Sequence, residues 1–313
     1  MDLLNFLRQK APEITATAGL VAFAILKKKL TPGGVLAGII SATIHMLHPW
    51  PAFFWLLMVF FLFGTFVTKI GHTSKSQLTQ SSTGGSGGEG ARKAIQVWAN
   101  SGWACLLILT HTYLLNTGPF ISSHIAISPG PHSPILLQLL PIGIISQYAA
   151  VAADTFASEL GILSQDQPFL ITAPWKKVPK GTNGGVTIDG LKYSVLGSGL
   201  LTFVAGMVLF FAEPRVMMDA KVSGLLVVAG LVGSVIDSVL GALAQVTVTD
   251  KGTGKVVEGA GGQRVKVLPD GSRVQIGTDL LTNNGVNFVM ASSASILAMG
   301  VAYVLDLQLQ TAR

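Results

Sequence analysis

The sequence carries little charge and almost no cysteine. Asp, Glu, Lys and Arg together make up 12% of its 313 residues, whereas hydrophobic residues make up 50%. Soluble globular chains carry roughly 25% charged residues, so this composition excludes an ordinary soluble domain and indicates an integral membrane protein. The single cysteine, Cys105, excludes an intramolecular disulfide and any cysteine-rich metal site.

Long apolar runs take the place of the missing charges. A run of about 20 apolar residues crosses the roughly 30 Å hydrocarbon core of a bilayer as a helix, and the short alternating segments of a membrane β-barrel are missing. The sequence therefore predicts an all-α polytopic membrane protein with about eight transmembrane helices, in a range of roughly six to eight. The eight runs, of which the first two are short, cover residues 14–26, 33–46, 51–67, 95–115, 135–153, 191–212, 222–244 and 286–305.

Basic residues are concentrated on one side of the predicted topology. If the spans alternate, 16 of the 21 Lys and Arg residues fall in loops on the same side, which the positive-inside rule assigns to the cytoplasm. Both termini then lie on the opposite face. The chain start shows neither a cleavable signal pattern nor a transit-like extension, so we expect the first span to be retained. We expect a multi-pass protein of the endoplasmic reticulum or another endomembrane, embedded in the lipid bilayer, with no nucleic-acid partner; the oligomeric state stays open.

Three polar insertions interrupt what we treat as a single membrane domain covering residues 1–313. They cover residues 68–93, 162–190 and 246–279, all on the predicted cytoplasmic side. In the third insertion, valine alternates with polar residues around Pro269-Asp-Gly271, which predicts a small β-hairpin.

Glycine-rich stretches in the first two insertions lie beside basic residues. Backbone N–H groups of such loops can bind a phosphate, and neighbouring Lys or Arg side chains neutralise it. The first stretch, Thr83-Gly-Gly-Ser-Gly-Gly-Glu-Gly, is not a Walker motif because it lacks the Gly-Lys-Ser/Thr ending, and a flexible linker has a similar composition. The candidate phosphate-binding residues of the two insertions are Lys75, Gly87, Gly88, Arg92, Lys93, Lys177, Lys180, Gly181, Thr182, Asn183 and Gly184.

Polar residues also enter the predicted spans in helical register. Arg92, Gln96 and Asn100 recur every four residues and so form one stripe that leads into the membrane. Such a stripe faces protein or a hydrated cavity rather than lipid, although hydrogen bonding between helices explains it equally well. Asn283 and Asn287 form a similar pair at the start of the last span.

Carboxylates lie near the cytoplasmic ends of two spans. Asp154 and Ser158 stack on one side of a helix, as do Thr155 and Glu159, and Asp237 lies about two turns inside the seventh span. An ionisable residue within a membrane span indicates a functional site by default; a carboxylate solvated at the membrane interface is the alternative. A buried aspartate at the depth of Asp237 needs a cation or a metal as its partner.

Two histidines, His45 and His48, border the Pro49-Trp50-Pro51 loop on the opposite side of the membrane. They could form a metal pair, but they lack carboxylate or cysteine companions. We therefore predict an interfacial location for both side chains.

Acids, amides and basic residues together predict a phosphate site with a divalent metal. Acids alone would suggest a cation path and basic residues alone an anion site, whereas the combination is typical of Mg²⁺ that bridges phosphate groups. Asp154, Glu159 and Asp237 are the candidate Mg²⁺ ligands and, with Ser158, the candidate catalytic residues. The amides that would orient oxygens are those of Gln96, Asn100, Asn183, Asn283 and Asn287.

Five segments resemble the transmembrane protein 19 family, in order along nearly the whole chain. They lie at residues 83–102, 153–161 (Ala-Asp-Thr-Phe-Ala-Ser-Glu-Leu-Gly), 178–186 (Val-Pro-Lys-Gly-Thr-Asn-Gly-Gly-Val), 233–242 and 281–288. That family includes the plant chloroplast phytyl-phosphate kinase of the vitamin E pathway, which uses a nucleoside triphosphate to convert phytyl monophosphate into the diphosphate. It is also distantly similar to dolichol kinases, whose Asp-x-x-Ala-Ser segment corresponds to Asp154, Ala157 and Ser158. The resemblance implies that these residues bind nucleotide and metal.

The leading hypothesis is a membrane-embedded lipid-phosphate kinase. It would transfer a phosphoryl group from CTP or another nucleoside triphosphate, with Mg²⁺, to an isoprenyl, phytyl-type or long-chain alkyl monophosphate. An acceptor that is already anionic needs no strong general base. Two alternatives use the same residues differently: a transporter or channel with an intramembrane polar path, and a non-catalytic scaffold in a lipid-synthesising complex.

Overall fold

Each predicted apolar run coincides with a helix in the computed structural model, which describes residues 3–82, 90–121, 135–213, 216–259, 261–265, 267 and 269–311. The helices of these ranges are α1 (Leu3–Gln9), α2 (Ala11–Leu26), α3 (Pro32–Leu47), α4 (Ala52–Lys69), α5 (His72–Leu78), α6 (Ala94–Ile121), α7 (Ile135–Gly161), α8 (Ile188–Ala212), α9 (Ala220–Ala244) and α10 (Asn283–Val304).

Helix length decides which of these elements can cross a membrane alone. Within the described ranges, α4 and α7 to α10 are long and apolar enough to do so. The apolar helices α2 and α3 have 16 residues each, about 24 Å at a rise of 1.5 Å per residue, which is short of a roughly 30 Å core. The longest helix, α6, has 28 residues. The chain is therefore a multi-pass, mostly helical integral membrane protein, as predicted.

Side-chain caps fix the starts of four helices. In each, a Thr or Asp oxygen accepts a hydrogen bond of 2.8 to 3.2 Å from the backbone N–H three residues later. A cap of this kind stabilises a helix by about 1 kcal/mol. The capping residues are Thr31 of α3, Thr187 of α8, Asp219 of α9 and Thr282 of α10.

Helix α7 lies at the centre of the bundle, against α4, α6, α8, α9 and α10. All of its residues from 140 to 153 are buried. Small residues allow this crowding: a Cβ added at Gly197 of α8 would lie 2.6 Å from the carbonyl oxygen of Ala152, and one at Gly233 of α9 would lie 2.6 Å from the Cβ of Ala150. Close packing of small residues is how helices associate in lipid.

The strands form three small sheets at the ends of the helices. Their orders are β1-β7-β6-β8, β3-β2-β4 and β5-β9. The strands are β1 (Thr79–Ser81), β2 (Phe169–Leu170), β3 (Ala173–Lys177), β4 (Gly185–Val186), β5 (Val216–Met217), β6 (Thr247–Asp250), β7 (Val256–Glu258), β8 (Arg273–Ile276) and β9 (Gln310–Thr311).

The predicted hairpin of the third insertion has a different turn and more strands than expected. Strand β6 pairs antiparallel with both β7 and β8, and β1 joins β7 in parallel. A turn is present at the predicted residues 269–271, where Gly271 adopts φ +70° and the backbone N–H of Ser272 donates to Asp270 (2.9 Å), but it leads into β8. The tight turn that joins β6 to β7 lies at residues 251–254, where Gly254 adopts φ +68° and Asp250 accepts hydrogen bonds from the N–H (2.8 Å) and hydroxyl (3.1 Å) of Thr253. These hydrogen bonds lower the pKa of the Asp250 carboxyl.

The side chains of His45 and His48, predicted to lie at the membrane interface, are fully buried among other side chains at the end of α3. The backbone N–H of Trp50 donates to His48 Nδ1 (2.9 Å), and His48 Nε2 lies 2.8 Å from Nδ1 of His111. The Tyr148 hydroxyl lies 2.6 Å from Nε2 of His45. The histidines thus find hydrogen-bond partners on α6 and α7, far along the chain, and hold that end of the bundle together.

Candidate functional site

A cavity of about 490 Å³ opens at the end of the bundle where α4, α7 and α9 finish and α6, α8 and α10 begin. This volume is in the usual range for small-molecule sites. The structure brings most of the predicted site residues to its wall: Lys75, Arg92, Gln96, Asn100, Asp154, Ser158, Glu159, Lys180, Gly181, Thr182, Asn183, Gly184, Asp237, Asn283 and Asn287. Two predicted residues, Lys93 and Lys177, do not line it, and Gly87 and Gly88 lie outside the described residues.

Asp154 and Asp237 face the cavity from the neighbouring helices α7 and α9, and their charges are close enough to repel each other. The Oδ2 atom of Asp237 is buried and has no hydrogen-bond partner among the described residues. A buried carboxylate oxygen without a donor is costly. The described residues thus leave an acceptor atom of this pair without a donor, which a bound cation could satisfy.

Glu159 is engaged differently from the two aspartates. Its Oε2 lies 2.5 Å from Nζ of Lys75, and its Oε1 accepts a hydrogen bond from the Thr68 hydroxyl at 3.0 Å. The same ammonium donates to the carbonyl oxygens of Val67 (3.2 Å) and Thr68 (2.8 Å) at the end of α4. Lys75 and Glu159 thus fasten α4 and α5 to α7, and the three donations of the Lys75 ammonium use all of its N–H groups.

Arg92 is placed by the turn between α2 and α3. Its backbone N–H donates to the carbonyl of Lys29 (2.9 Å), and its carbonyl accepts from the N–H of Thr31 (3.0 Å). A Cβ at Gly34 would lie 2.5 Å from that carbonyl, so the glycine permits the approach. The guanidinium lies beside Gly64 of α4, and no carboxylate of the described residues is within ion-pair distance of it.

The loop at residues 181–184 packs tightly against the end of α9. Asn183 donates from its side chain to the carbonyl of Val246 (2.9 Å) and from its backbone to the Thr247 hydroxyl (3.1 Å). Gly184 has φ +76°, and a Cβ there would lie 2.5 Å from Ala242. The amide of Asn183 therefore fixes this loop to β6, while the loop's glycines remain on the cavity wall.

Another basic residue of the cavity wall, Lys180, forms a hydrogen bond within the second insertion. Its ammonium donates to the carbonyl of Ser164 at 2.5 Å. Lys177, by contrast, lies on the exposed strand β3 and donates to the carbonyl of Gln167 (3.2 Å). Of these two lysines, only Lys180 is within the cavity.

The amides mostly serve local structure. Gln96 accepts from the backbone N–H of Lys93 (2.8 Å) and so caps the start of α6. The side chain of Asn100 donates to the backbone carbonyl of Gln96 (3.2 Å). The backbone carbonyl of Asn100 accepts a hydrogen bond from the side chain of Gln147 on α7 (2.7 Å). The side chains of this stripe therefore bond within the start of α6, the bond to α7 is made by the backbone of Asn100, and Gln96 and Asn100 also line the cavity.

The sequence interpretation missed Asn284. This buried residue lines the cavity and donates to the carbonyl of Gly261 at 3.2 Å, which ties the third insertion to α10. The run Thr-Asn-Asn-Gly at 282–285 contained the signal, but helical register alone selected Asn283 and Asn287. Asn283 accepts a long hydrogen bond from Gln245 (3.5 Å).

The three carboxylates predicted as Mg²⁺ ligands do not form one metal-binding group among the described residues. Across the described ranges, no group of three or more His, Cys, Asp or Glu side chains is arranged to hold a metal ion. Mg²⁺, however, is commonly bound through one or two carboxylates together with substrate phosphates and water. Asp154 and Asp237, with the unpartnered Oδ2 of the latter, fit that mode of binding.

Comparisons with known proteins agree with the motif resemblance. The sequence matches the family Integral membrane protein DUF92 over residues 15–295. Protein PGR of Arabidopsis thaliana is 36% identical over 286 residues, covering 90% of this chain and 92% of that protein. Protein VTE6, chloroplastic, of the same plant is 24% identical over 180 residues, covering 58% and 48%. An uncharacterized membrane protein of Methanocaldococcus jannaschii, MJ0933, is 38% identical over 118 residues, covering 35% and 46%.

No solved structure matches the chain. The family match nonetheless extends from α2 to α10, and the match to Protein PGR spans nearly the whole of both proteins. The predicted family resemblance is therefore confirmed, and the chain belongs to the DUF92 family of integral membrane proteins.

Proposed function

We propose that this protein is a membrane-embedded phosphotransferase. It transfers the terminal phosphoryl group of CTP or another nucleoside triphosphate to an isoprenyl or long-chain alkyl monophosphate. The observation that carries the proposal is the combination of paired carboxylates, Asp154 and Asp237, with the cations of Arg92 and Lys180 in one cavity at the end of the helices. Carboxylates for a metal and cations for phosphate oxygens are the groups that phosphoryl transfer requires.

The proposed reaction joins two phosphates. An oxygen of the acceptor monophosphate bonds to the terminal phosphorus of the nucleotide, and the bond from that phosphorus to the bridging oxygen breaks. The products are a lipid diphosphate and a nucleoside diphosphate. Because the acceptor oxygen carries no proton to remove at neutral pH, the protein needs to orient and neutralise the phosphates rather than supply a base.

Asp154 and Asp237 would hold Mg²⁺ together with phosphate oxygens. The ion would neutralise negative charge on the phosphates and so favour the approach of one anion to another. Arg92 would orient the acceptor phosphate through its planar donors. Lys180 and the backbone of Gly181 would contact the nucleotide phosphates from the opposite wall.

The depth of the cavity favours an enzyme over a channel. Beyond Asp154, every residue of α7 back to Leu140 is buried, and Tyr148 is fully buried in contact with His45. The cavity thus opens at one end of the bundle, while packed side chains fill the middle of α7. A site that is closed toward the opposite end of the bundle suits a reaction at the membrane surface.

Detergent-purified protein incubated with γ-labelled CTP or ATP, Mg²⁺ and a panel of isoprenyl monophosphates tests the proposal. Transfer of label to a lipid diphosphate is the expected result. If no label is transferred and neither nucleotide raises the melting temperature, the phosphotransferase proposal is wrong, and transport assays in proteoliposomes become the next experiment.

Replacing Arg92 with Gln is expected to raise the KM for the lipid phosphate by about 30-fold, since a charge-assisted bidentate contact contributes roughly 2 kcal/mol. Arg92→Lys should recover only part of this loss, because an ammonium cannot make the bidentate contact. The measurement is initial velocity against acceptor concentration at saturating nucleotide. The control variant Lys192→Gln removes a cation from an exposed pair with Asp189 and should leave the KM unchanged. Equal increases in KM in the two variants would mean that Arg92 acts through the overall charge of the protein and not by direct contact with the lipid phosphate.

A further inference from the structure

A narrow apolar groove lies between α2, α3, α4 and α6. Its wall is formed largely by aliphatic and aromatic side chains, and small residues on α2 and α3 keep it open: Ala24, Gly38 and Ala42. Neighbouring side chains on α3, such as Leu36 and Ile40, are exposed and apolar, as expected for helices that face lipid. The groove therefore lies at the depth of the hydrocarbon core.

The inner end of the groove is polar and is shared with the cavity. Arg92, Gln96, Asn100 and Phe60 line both spaces. The guanidinium of Arg92 lies beside Gly64 and near the ring of Phe61, with its Cζ 5.9 Å from the ring centroid. A molecule lying in the groove would thus end at a cation that also lines the cavity into which Asp154 faces.

These two ends define the occupant. It must be apolar over most of its length, because the groove wall is, and anionic at the end that meets Arg92. It must also be thin, since the groove of about 70 Å³ accommodates only the part of the occupant next to its anionic end, and a helix with its side chains is roughly 10 Å across. A single hydrocarbon chain that ends in a phosphate meets all three conditions, whereas a second protein helix does not.

We propose that this groove binds the hydrocarbon chain of a single-chain lipid phosphate, with the phosphate at Arg92. The inference rests on the proposed function and adds to it the route by which the acceptor reaches the carboxylate pair: from the bilayer, between α2 and α4, while the nucleotide enters from the loops. Acceptors with one long chain should therefore be preferred over diacyl lipids.

Gly38→Leu tests the groove directly. A Cβ at Gly38 would meet only the side chain of Leu30, at 3.8 Å, so the variant fills the groove without a backbone clash. Gly19→Leu on the adjacent helix is the matched control, because nothing lies within 4 Å of its Cβ and it does not line the groove. Both substitutions raise helix propensity equally.

The readout is crosslinking by a diazirine-bearing hexadecyl phosphate in nanodiscs, mapped by mass spectrometry. Label is expected on the groove-facing side of α2 and α3, reduced about tenfold in Gly38→Leu and unchanged in Gly19→Leu, since occlusion removes contacts with a few methylenes. Val21→Trp, on a different helix of the groove, should act as Gly38→Leu does. A variant is used only if its size-exclusion elution volume and melting temperature equal those of the parent protein. One variant that meets this condition is enough for the comparison.

Three outcomes would overturn the inference. The first is crosslinking that neither groove variant reduces. The second is equal crosslinking by diazirine-bearing hexadecanol, which would indicate an adventitious apolar molecule. The third is stronger crosslinking by a diacyl phosphatidic acid probe. Crosslinking does not need turnover, so the two proposals fail separately. Specific crosslinking without phosphoryl transfer would overturn the proposed reaction and leave the groove standing.

Discussion

Phosphoryl transfer should fall by about a thousand-fold in Asp154→Asn and in Asp237→Asn, because each substitution removes a charge that would hold the metal at the reacting phosphates. The amide preserves the shape of the side chain, so the fold should persist. Thermal stability should rise slightly in each variant, since one of two mutually repelling charges is removed. Rates of label transfer and melting temperatures measured on the same preparations check both expectations.

Asp219→Asn is the matched control for this experiment. Asp219 caps the start of α9, the helix that carries Asp237 near its other end, and asparagine is as good a cap. Its activity should equal that of the parent protein. Full activity in Asp154→Asn would remove the carboxylate pair from the mechanism, whereas equal losses in all three variants would indicate a fault of the fold.

Glu159→Ala should lower the free energy of unfolding by about 3 kcal/mol. The substitution leaves the ammonium of Lys75 unpaired, with only 12% of that side chain exposed, and uncompensated buried charges are strongly destabilising. Thermal unfolding in detergent micelles, with and without nucleotide, measures the change. The exposed pair of Lys192 and Asp189 provides the comparison: Asp189→Ala should destabilise the protein much less, because solvent screens exposed pairs.

The double variant Lys75→Met/Glu159→Leu separates a structural role from a catalytic one. Replacing both partners with apolar residues of similar volume should restore most of the lost stability. If Glu159 serves only to hold α7 to α4, the double variant should also regain phosphoryl transfer. If the double variant regains stability but not phosphoryl transfer, Glu159 acts in the reaction itself, as the sequence analysis predicted for a metal ligand.

The helices were predictable because their signals are local. Apolar runs of membrane length, together with capping residues such as Thr31 and Thr282, mark helix positions without knowledge of neighbouring elements. The polar face of α9 around Asp237 was visible for the same reason, since residues three and four apart share a face. The clustering of the site at one end then follows from alternation of the spans.

Partner choice was not predictable, because it depends on contacts between distant segments. Lys75 and Glu159 each looked like a ligand for phosphate or metal, and only packing of α5 against α7 shows that they bind each other. The partner of His45, Tyr148 of α7, is likewise remote in sequence. Hydrogen bonding of Asn183 to Val246 likewise joins two different insertions.

The parallel pairing of β1 with β7 has a consequence for biosynthesis. β1 leaves the ribosome before α6, whereas its partner follows α9, so Thr79 must wait for Val256 through the insertion of four long helices. During that interval the polar stripe that begins at Arg92 has no completed cavity to face. The nascent chain therefore completes the cavity only once α10 is in place. A chain that terminates before α10 should insert into the membrane but lack a complete cavity.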